Sequence, residues 1–182
     1  MGAGRMMHDW RLDWAFPLLA RVPSLWPWQM ASVVGREPAT DRRHLLQWLQ
    51  GRFAAVFPQA GVHEHAQWAR AHLEMLAREM LDAMAFHRLG VRGGPVIAVS
   101  GVEHTRTVQA RGKGFILVLN HFDRLLTAPV ALARQGVPTN VLTMPVLDNP
   151  ELGAAQRRFL LRKIAGYTAV TGGCWHSTSD GL

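Results

Sequence analysis

Phe115-Ile116-Leu117-Val118-Leu119 is an uninterrupted apolar run, entered through Gly112-Lys113-Gly114 and left through Asn120-His121-Phe122-Asp123-Arg124. A strand with one wet face alternates apolar and polar residues. A run without alternation suits a strand buried on both faces, as inside a parallel sheet covered by helices. Val96-Ile97-Ala98-Val99, after Gly93-Gly94-Pro95, and Val141-Leu142-Thr143-Met144 read as further strands. Helical stretches lie between and after them. One runs from Leu125 to Arg134 and stops at Gln135-Gly136; another opens at Asn149-Pro150-Glu151, with proline in its first turn, and reaches about Ile164. Strand–helix–strand alternation implies crossover connections.

Ahead of the sheet the pattern is helical. Thr40 or Asp41 is placed to cap a helix through Leu45, Leu46, Trp48, Leu49, Phe53 and Val56, which stops near Phe57-Pro58. A second helix, about 63–89, carries Trp68, Leu73, Leu76, Met80, Leu81 and Met84 at mixed three- and four-residue spacing, and ends at Leu89-Gly90. The expected fold class is α/β: N-terminal helices followed by a partial, mostly parallel sheet with crossover helices. A hydrophobic content of 48% is enough to build a core. The length of 182 residues suits one domain. The expected division is an anchor segment over 1–38, an α/β domain over 39–170 and an irregular tail over 171–182.

The anchor expectation comes from residues 14–34, which are mostly apolar but are interrupted by Arg21, Pro17, Pro23 and Pro27. A spanning helix needs about 20 apolar residues with few breaks. A cleaved leader would have a clean apolar core, whereas here Asp9 and Asp13 precede the apolar stretch and Arg21 sits inside it. Trp14, Trp26 and Trp28 suit the headgroup layer, where an amphipathic ring has one wet end. Two arrangements fit: an interfacial segment on a membrane, or a helix hairpin packed on the domain.

Lys and Arg together number 20 against 13 acidic residues, giving a formal charge of +7. Such a balance favours anionic partners, and arginine in particular suits phosphate and carboxylate. No recognisable nucleic-acid module accompanies it, so nucleic acid is not the expected partner. A single cysteine, Cys174, excludes an internal disulfide framework and a four-cysteine zinc site.

The chemistry is placed best around His121. Ligands of a parallel α/β sheet gather at the C-terminal strand ends, and Asn120 to Arg124 follow the apolar run Phe115–Leu119. A histidine there can serve as a general base, Asp123 can orient its imidazole, and Arg124 can hold a phosphate or carboxylate. Neighbouring helix N–H groups can receive an anion. Arg157, Arg158, Arg162 and Lys163 share a helix, so Arg158 and Arg162 are candidates for phosphate contacts, against the plainer reading of a solvated basic face. His63, His65 and His72 make a poor metal set, because no cysteine joins them and the spacing spans a helix start. Cys174 and His176 are neighbours in sequence only. Glu79 and Asp82 read as solvated or ion-paired.

These residues resemble a known family. Arg52-Phe53, Phe57-Pro58, Glu79-Met80-Leu81-Asp82 and, most specifically, Gly112 to Phe122 are similar to segments of the bacterial lipid A biosynthesis acyltransferases, within the lysophospholipid acyltransferase group. The resemblance covers roughly residues 10–170. It implies O-acyl transfer from an acyl thioester, on acyl carrier protein or coenzyme A, to a hydroxyl of a membrane glycolipid or lipid acceptor in lipopolysaccharide assembly. It further implies His121 as the general base, no cofactor, no metal, anionic membrane lipids as partners, and a peripheral or anchored position on the cytoplasmic face of the inner membrane.

The chain departs from the family pattern in two ways. The family's orienting acid stands five positions after the histidine, where this chain has Leu126. In a serine protease, loss of the orienting acid costs about 10⁴ in rate. Asp123, or an acid from another loop, is left as the substitute; otherwise the chemistry is lost. Family members are also longer, so the expectation is of a C-terminally truncated, motif-divergent member. The alternative is an inactive relative that binds lipid or acyl carrier protein.

Overall fold

A computed structural model describes residues 9–36, 43–112, 114–119 and 124–179. The chain is mixed α/β and mostly helical, with a small two-strand parallel sheet. Its helices are α1 (Phe16–Leu19), α2 (Trp26–Arg36), α3 (Arg43–Val56), α4 (Val62–Met84), α5 (Val102–Ala110), α6 (Thr127–Arg134) and α7 (Ala154–Thr171); its strands are β1 (Val141–Thr143) and β2 (Trp175–Ser177). A π-helical turn, Arg11–Ala15, leads into α1.

The 23-residue α4 is the organising element. Glu64 reaches back to accept the Gly61 N–H at 2.9 Å, which occupies an orphan donor near the helix start. Further along, α4 buries Ala69 and Leu73 against Leu49 of α3, and Leu81 and Ala83 in the main core. Small residues let α2 approach closely. A Cβ built on Gly35 would stand 2.6 Å from the Glu74 Cα, so the helix axes meet where glycine leaves room.

The main core joins both ends of the chain. Leu12, Ala20, Trp28 and Ala31 from the N-terminal segment share it with Phe86, Leu89, Leu126, Val130, Phe159 and Tyr167. Tyr167 is fully buried; its hydroxyl is 2.9 Å from Thr139 Oγ1, and its ring is met edge-on by Phe86 and Trp175. A buried phenol needs such a partner to offset its lost hydration.

β1 and β2 pair in parallel, Val141 with Trp175 and Thr143 with Ser177, with α7 between them in the sequence. This sheet differs from the expectation. Val96–Val99 and Phe115–Leu119 belong to no strand. Conversely, the tail expected to be irregular supplies β2. Helix α5 was not anticipated: it buries no residue, so no apolar stripe announces it. Pro150 does not open α7, which begins at Ala154 after the Asn149 side chain has taken the Glu151 N–H at 2.9 Å. The proposed caps Thr40 and Asp41 lie outside the described residues.

The N-terminal segment forms helical turns packed on α4, yet one side of it is open. Trp10, Trp14 and Leu18, four residues apart, are 69%, 67% and 55% exposed, and Leu25, Trp26, Val33 and Val34 are also exposed. Among the described residues no helix is long and apolar enough to cross a membrane.

Candidate functional site

Asn120, His121 and Asp123 lie outside the described residues. The structure does place what flanks them. Arg124 sits just before α6, and its guanidinium turns inward to Asp82 near the end of α4. Nη1 is 3.0 Å from Oδ2 and 3.3 Å from Oδ1.

Asp82 is the centre of a buried polar chain. Its side chain is 3% exposed, and the Trp28 indole N–H donates to Oδ1 at 2.7 Å. Trp28 in turn lies under the Arg88 guanidinium, 4.8 Å from ring centroid to Cζ. Arg88 donates to the carbonyls of Val22, Ser24 and Gly93, the last two at 2.8 and 2.9 Å. A Cβ on Gly94 would overlap the Arg88 carbonyl oxygen at 1.8 Å, so only glycine allows that loop to close on Arg88. Arg124, Asp82, Trp28 and Arg88 therefore connect the segment after His121 to the loop between α1 and α2.

Burial is the main influence on the Asp82 carboxyl and pushes it up to about 6. The Arg124 charge and the hydrogen bonds from Trp28 and Arg124 oppose that rise; the nearby Glu79 carboxylate adds to it. Glu79 is itself paired with Lys163 of α7 at 3.5 Å. A cavity of about 10 Å³ lies among Glu79, Asp82, Phe86, Arg124, Leu126, Thr127 and Lys163, room for one water rather than an acyl chain. Thr127 Oγ1 is buried there without a hydrogen-bond partner among the described residues.

The other candidates are distributed differently. Arg158 grips Asp13 with two parallel bonds, Nε to Oδ1 at 2.9 Å and Nη2 to Oδ2 at 2.8 Å. Arg162 donates to the Leu12 carbonyl at 3.1 Å. The pair expected to meet phosphate thus holds the N-terminal segment onto α7. Leu126, at the position of the resembled family's acid, is 6% exposed and belongs to the core. His65 is buried, with Nε2 2.9 Å from the Phe57 carbonyl and its ring edge-on to Trp68. Cys174 is exposed.

Sequence reading assigned Asp82 to solvent or an ion pair and did not foresee its burial or its Trp28 bond. The indole that covers it comes from 54 residues away, so no local spacing carries that information.

Comparisons with protein-family models, with curated proteins and with solved structures found no match.

Proposed function

We propose that this chain is an acyltransferase-like protein working at a membrane surface. It moves a fatty acyl group from a thioester of acyl carrier protein or coenzyme A to a hydroxyl of a membrane glycolipid or lipid acceptor. On this reading His121 takes the hydroxyl proton as the oxygen attacks the thioester carbonyl. The ester forms, the C–S bond breaks, and the proton passes to the departing thiolate. Asn120 and Arg124 position the donor or acceptor, and Asp123 orients the imidazole. The protein sits peripherally, on the cytoplasmic face of the inner membrane.

The observation that carries the reading is the joint placement of two features. An exposed, tryptophan-bearing N-terminal segment faces outward, and its inner side is tied through Trp28 and Asp82 to Arg124, three residues after His121. A protein acting on membrane lipids needs an apolar docking face near its chemistry. The crossover helices belong to the same reading: α5 and α6 would join neighbouring strands if the apolar runs 96–99 and 115–119 paired in one sheet.

Leu126 favours a second reading, a non-catalytic relative that binds lipid or acyl carrier protein, because its buried side chain provides no orienting acid. The deciding experiment incubates labelled acyl carrier protein with a membrane extract and purified wild type, His121→Ala or Asp123→Ala chain. Transfer by wild type, abolished in His121→Ala, is expected. Loss in Asp123→Ala assigns the orienting role to that acid. Equal transfer by wild type and His121→Ala overturns the mechanism. A folded wild type that binds vesicles without transfer establishes the second reading.

A further inference from the structure

Two carboxylates and two cations meet around one small cavity. Asp82 and Glu79 come from α4, Lys163 from α7 and Arg124 from the segment entering α6; Thr127, in the first turn of α6, lines the same space. Helix α2 reaches Asp82 through the neutral Trp28 indole, with Arg88 over its ring. The two oxygens of Asp82 are used unequally. Oδ1 accepts the Trp28 N–H at 2.7 Å and an Arg124 N–H at 3.3 Å. Oδ2 lies 3.0 Å from the same Arg124 nitrogen but accepts no hydrogen bond among the described residues. A buried carboxylate oxygen with no N–H aimed at it is the one that takes a proton at least cost. The resulting O–H needs an acceptor, and Thr127 Oγ1 is buried beside the cavity without a partner among the described residues.

Charge balance decides which cation then moves. With both acids ionised, Asp82 and Glu79 offset Arg124 and Lys163. A proton on Asp82 leaves one cation in excess in a poorly solvated cluster. Lys163 keeps Glu79 at 3.5 Å and is 15% exposed. Arg124 is 23% exposed and loses the acid it pairs with among the described residues. We propose that Asp82 is a proton-operated latch on Arg124: ionised, it holds the guanidinium against α4; protonated, it releases the guanidinium to solvent and keeps the Trp28 indole. Oδ1 remains an acceptor in either form, so the α2–α4 contact survives. What changes is the anchor of the segment that follows His121. Burial already brings the carboxyl up to about 6 against the pull of Arg124, so release comes at mild acidity. The released guanidinium becomes available to a phosphate or carboxylate. The latch stands whether or not the chain transfers acyl groups.

The test is a titration of the ¹⁵N-labelled full chain between pH 8 and 5, following the Arg124 Nε–H and Trp28 indole N–H signals, each assigned through its bonded backbone. Both are expected to shift with one midpoint. Below it, the Arg124 signal joins those of exposed arginines while the Trp28 signal stays apart from those of exposed tryptophans. In Asp82→Asn, the Arg124 signal is expected at the released position throughout, with no titration. Glu79→Gln is a second variant at a less buried position. Removing that nearby negative charge is expected to move the midpoint to lower pH by at least about 0.3 unit. An Arg124 signal indifferent to pH, a titration that persists in Asp82→Asn, a midpoint unmoved in Glu79→Gln, or release of Trp28 together with Arg124 each overturns the inference. So does loss of helical circular dichroism over the same range, which would make the change a general unfolding.

Discussion

Asp82 shows how one residue can reverse the usual pH behaviour of a carboxylate. Its folded value of about 6 stands above its ordinary 3.8, so between these the native state binds more protons than the unfolded chain. Stability from this group is therefore full below about pH 4, falls as pH rises towards 6 and is flat above. The span corresponds to about 3 kcal/mol at most. The charged groups facing it are Arg124 and, more distantly, Glu79 with its partner Lys163. Glu74 behaves oppositely: the Arg36 hydrogen bond is the largest influence and lowers it, so its contribution is lost only as pH falls below its ordinary 4.5. Urea unfolding of wild type and Asp82→Asn at pH 4 and pH 7 separates the two. The Asp82→Asn chain is expected to lose the decline between pH 4 and 6; an unchanged decline would show that Asp82 does not titrate in that window. Neither the position of Asp82 in the sequence nor its neighbours foretold this. Glu79 and Asp82 look alike on a helix, and only Trp28 and Arg124 distinguish them.

At the scale of elements, legibility followed the presence of a buried stripe. The helices α3 and α6 lie close to their expected spans, and α4 starts where expected but ends at Met84, with a separate 3-10 turn at Phe86–Arg88 before the expected stop at Leu89; each turns apolar residues towards a neighbour. Helix α5 buries nothing and gave no signal. The two missing strands failed for a different reason. Continuous apolar runs report a preference for burial on both faces, but pairing needs a partner, and none of the described chain supplies one to 96–99 or 115–119. β2 was missed because three residues after a glycine pair carry too little pattern. Side-chain size decides the α2–α4 contact. Gly35→Ala places a methyl where the Glu74 backbone already lies, so the helices must separate or shift. The expected loss is about 1–3 kcal/mol, with a lowered thermal midpoint. Gly51, in the exposed part of α3, has nothing within 4 Å of its would-be Cβ. Gly51→Ala is expected to be neutral or slightly stabilising, since alanine is the better helix former. Equal effects at both positions would show that the close approach carries no energetic weight.

For the whole molecule, the N-terminal segment packs on the domain and still leaves apolar rings exposed. Its inner side is core, through Leu12, Ala20, Trp28 and Ala31, and is fastened by Arg88, Arg158 and Arg162. Trp10, Trp14 and Trp26 of the same segment are exposed, on a chain of formal charge +7. A hairpin that only packed on the domain would not turn Trp10, Trp14 and Trp26 to water, and a free anchor would not bury Trp28 against Asp82. On the proposed function, the exposed rings would sit at the interface while the basic charge meets anionic headgroups. Sedimentation with vesicles of mixed neutral and anionic phospholipid tests this directly. Wild type is expected to bind, more weakly as salt rises. Trp10→Ser/Trp14→Ser is expected to reduce the partition at least about tenfold, with unchanged helical content because both rings are exposed. Arg158→Gln separates surface from scaffold. It removes the clamp on Asp13 without touching an exposed ring, so it should destabilise the fold before it weakens binding. Vesicle binding that survives loss of both tryptophans would instead assign attachment to basic charge alone.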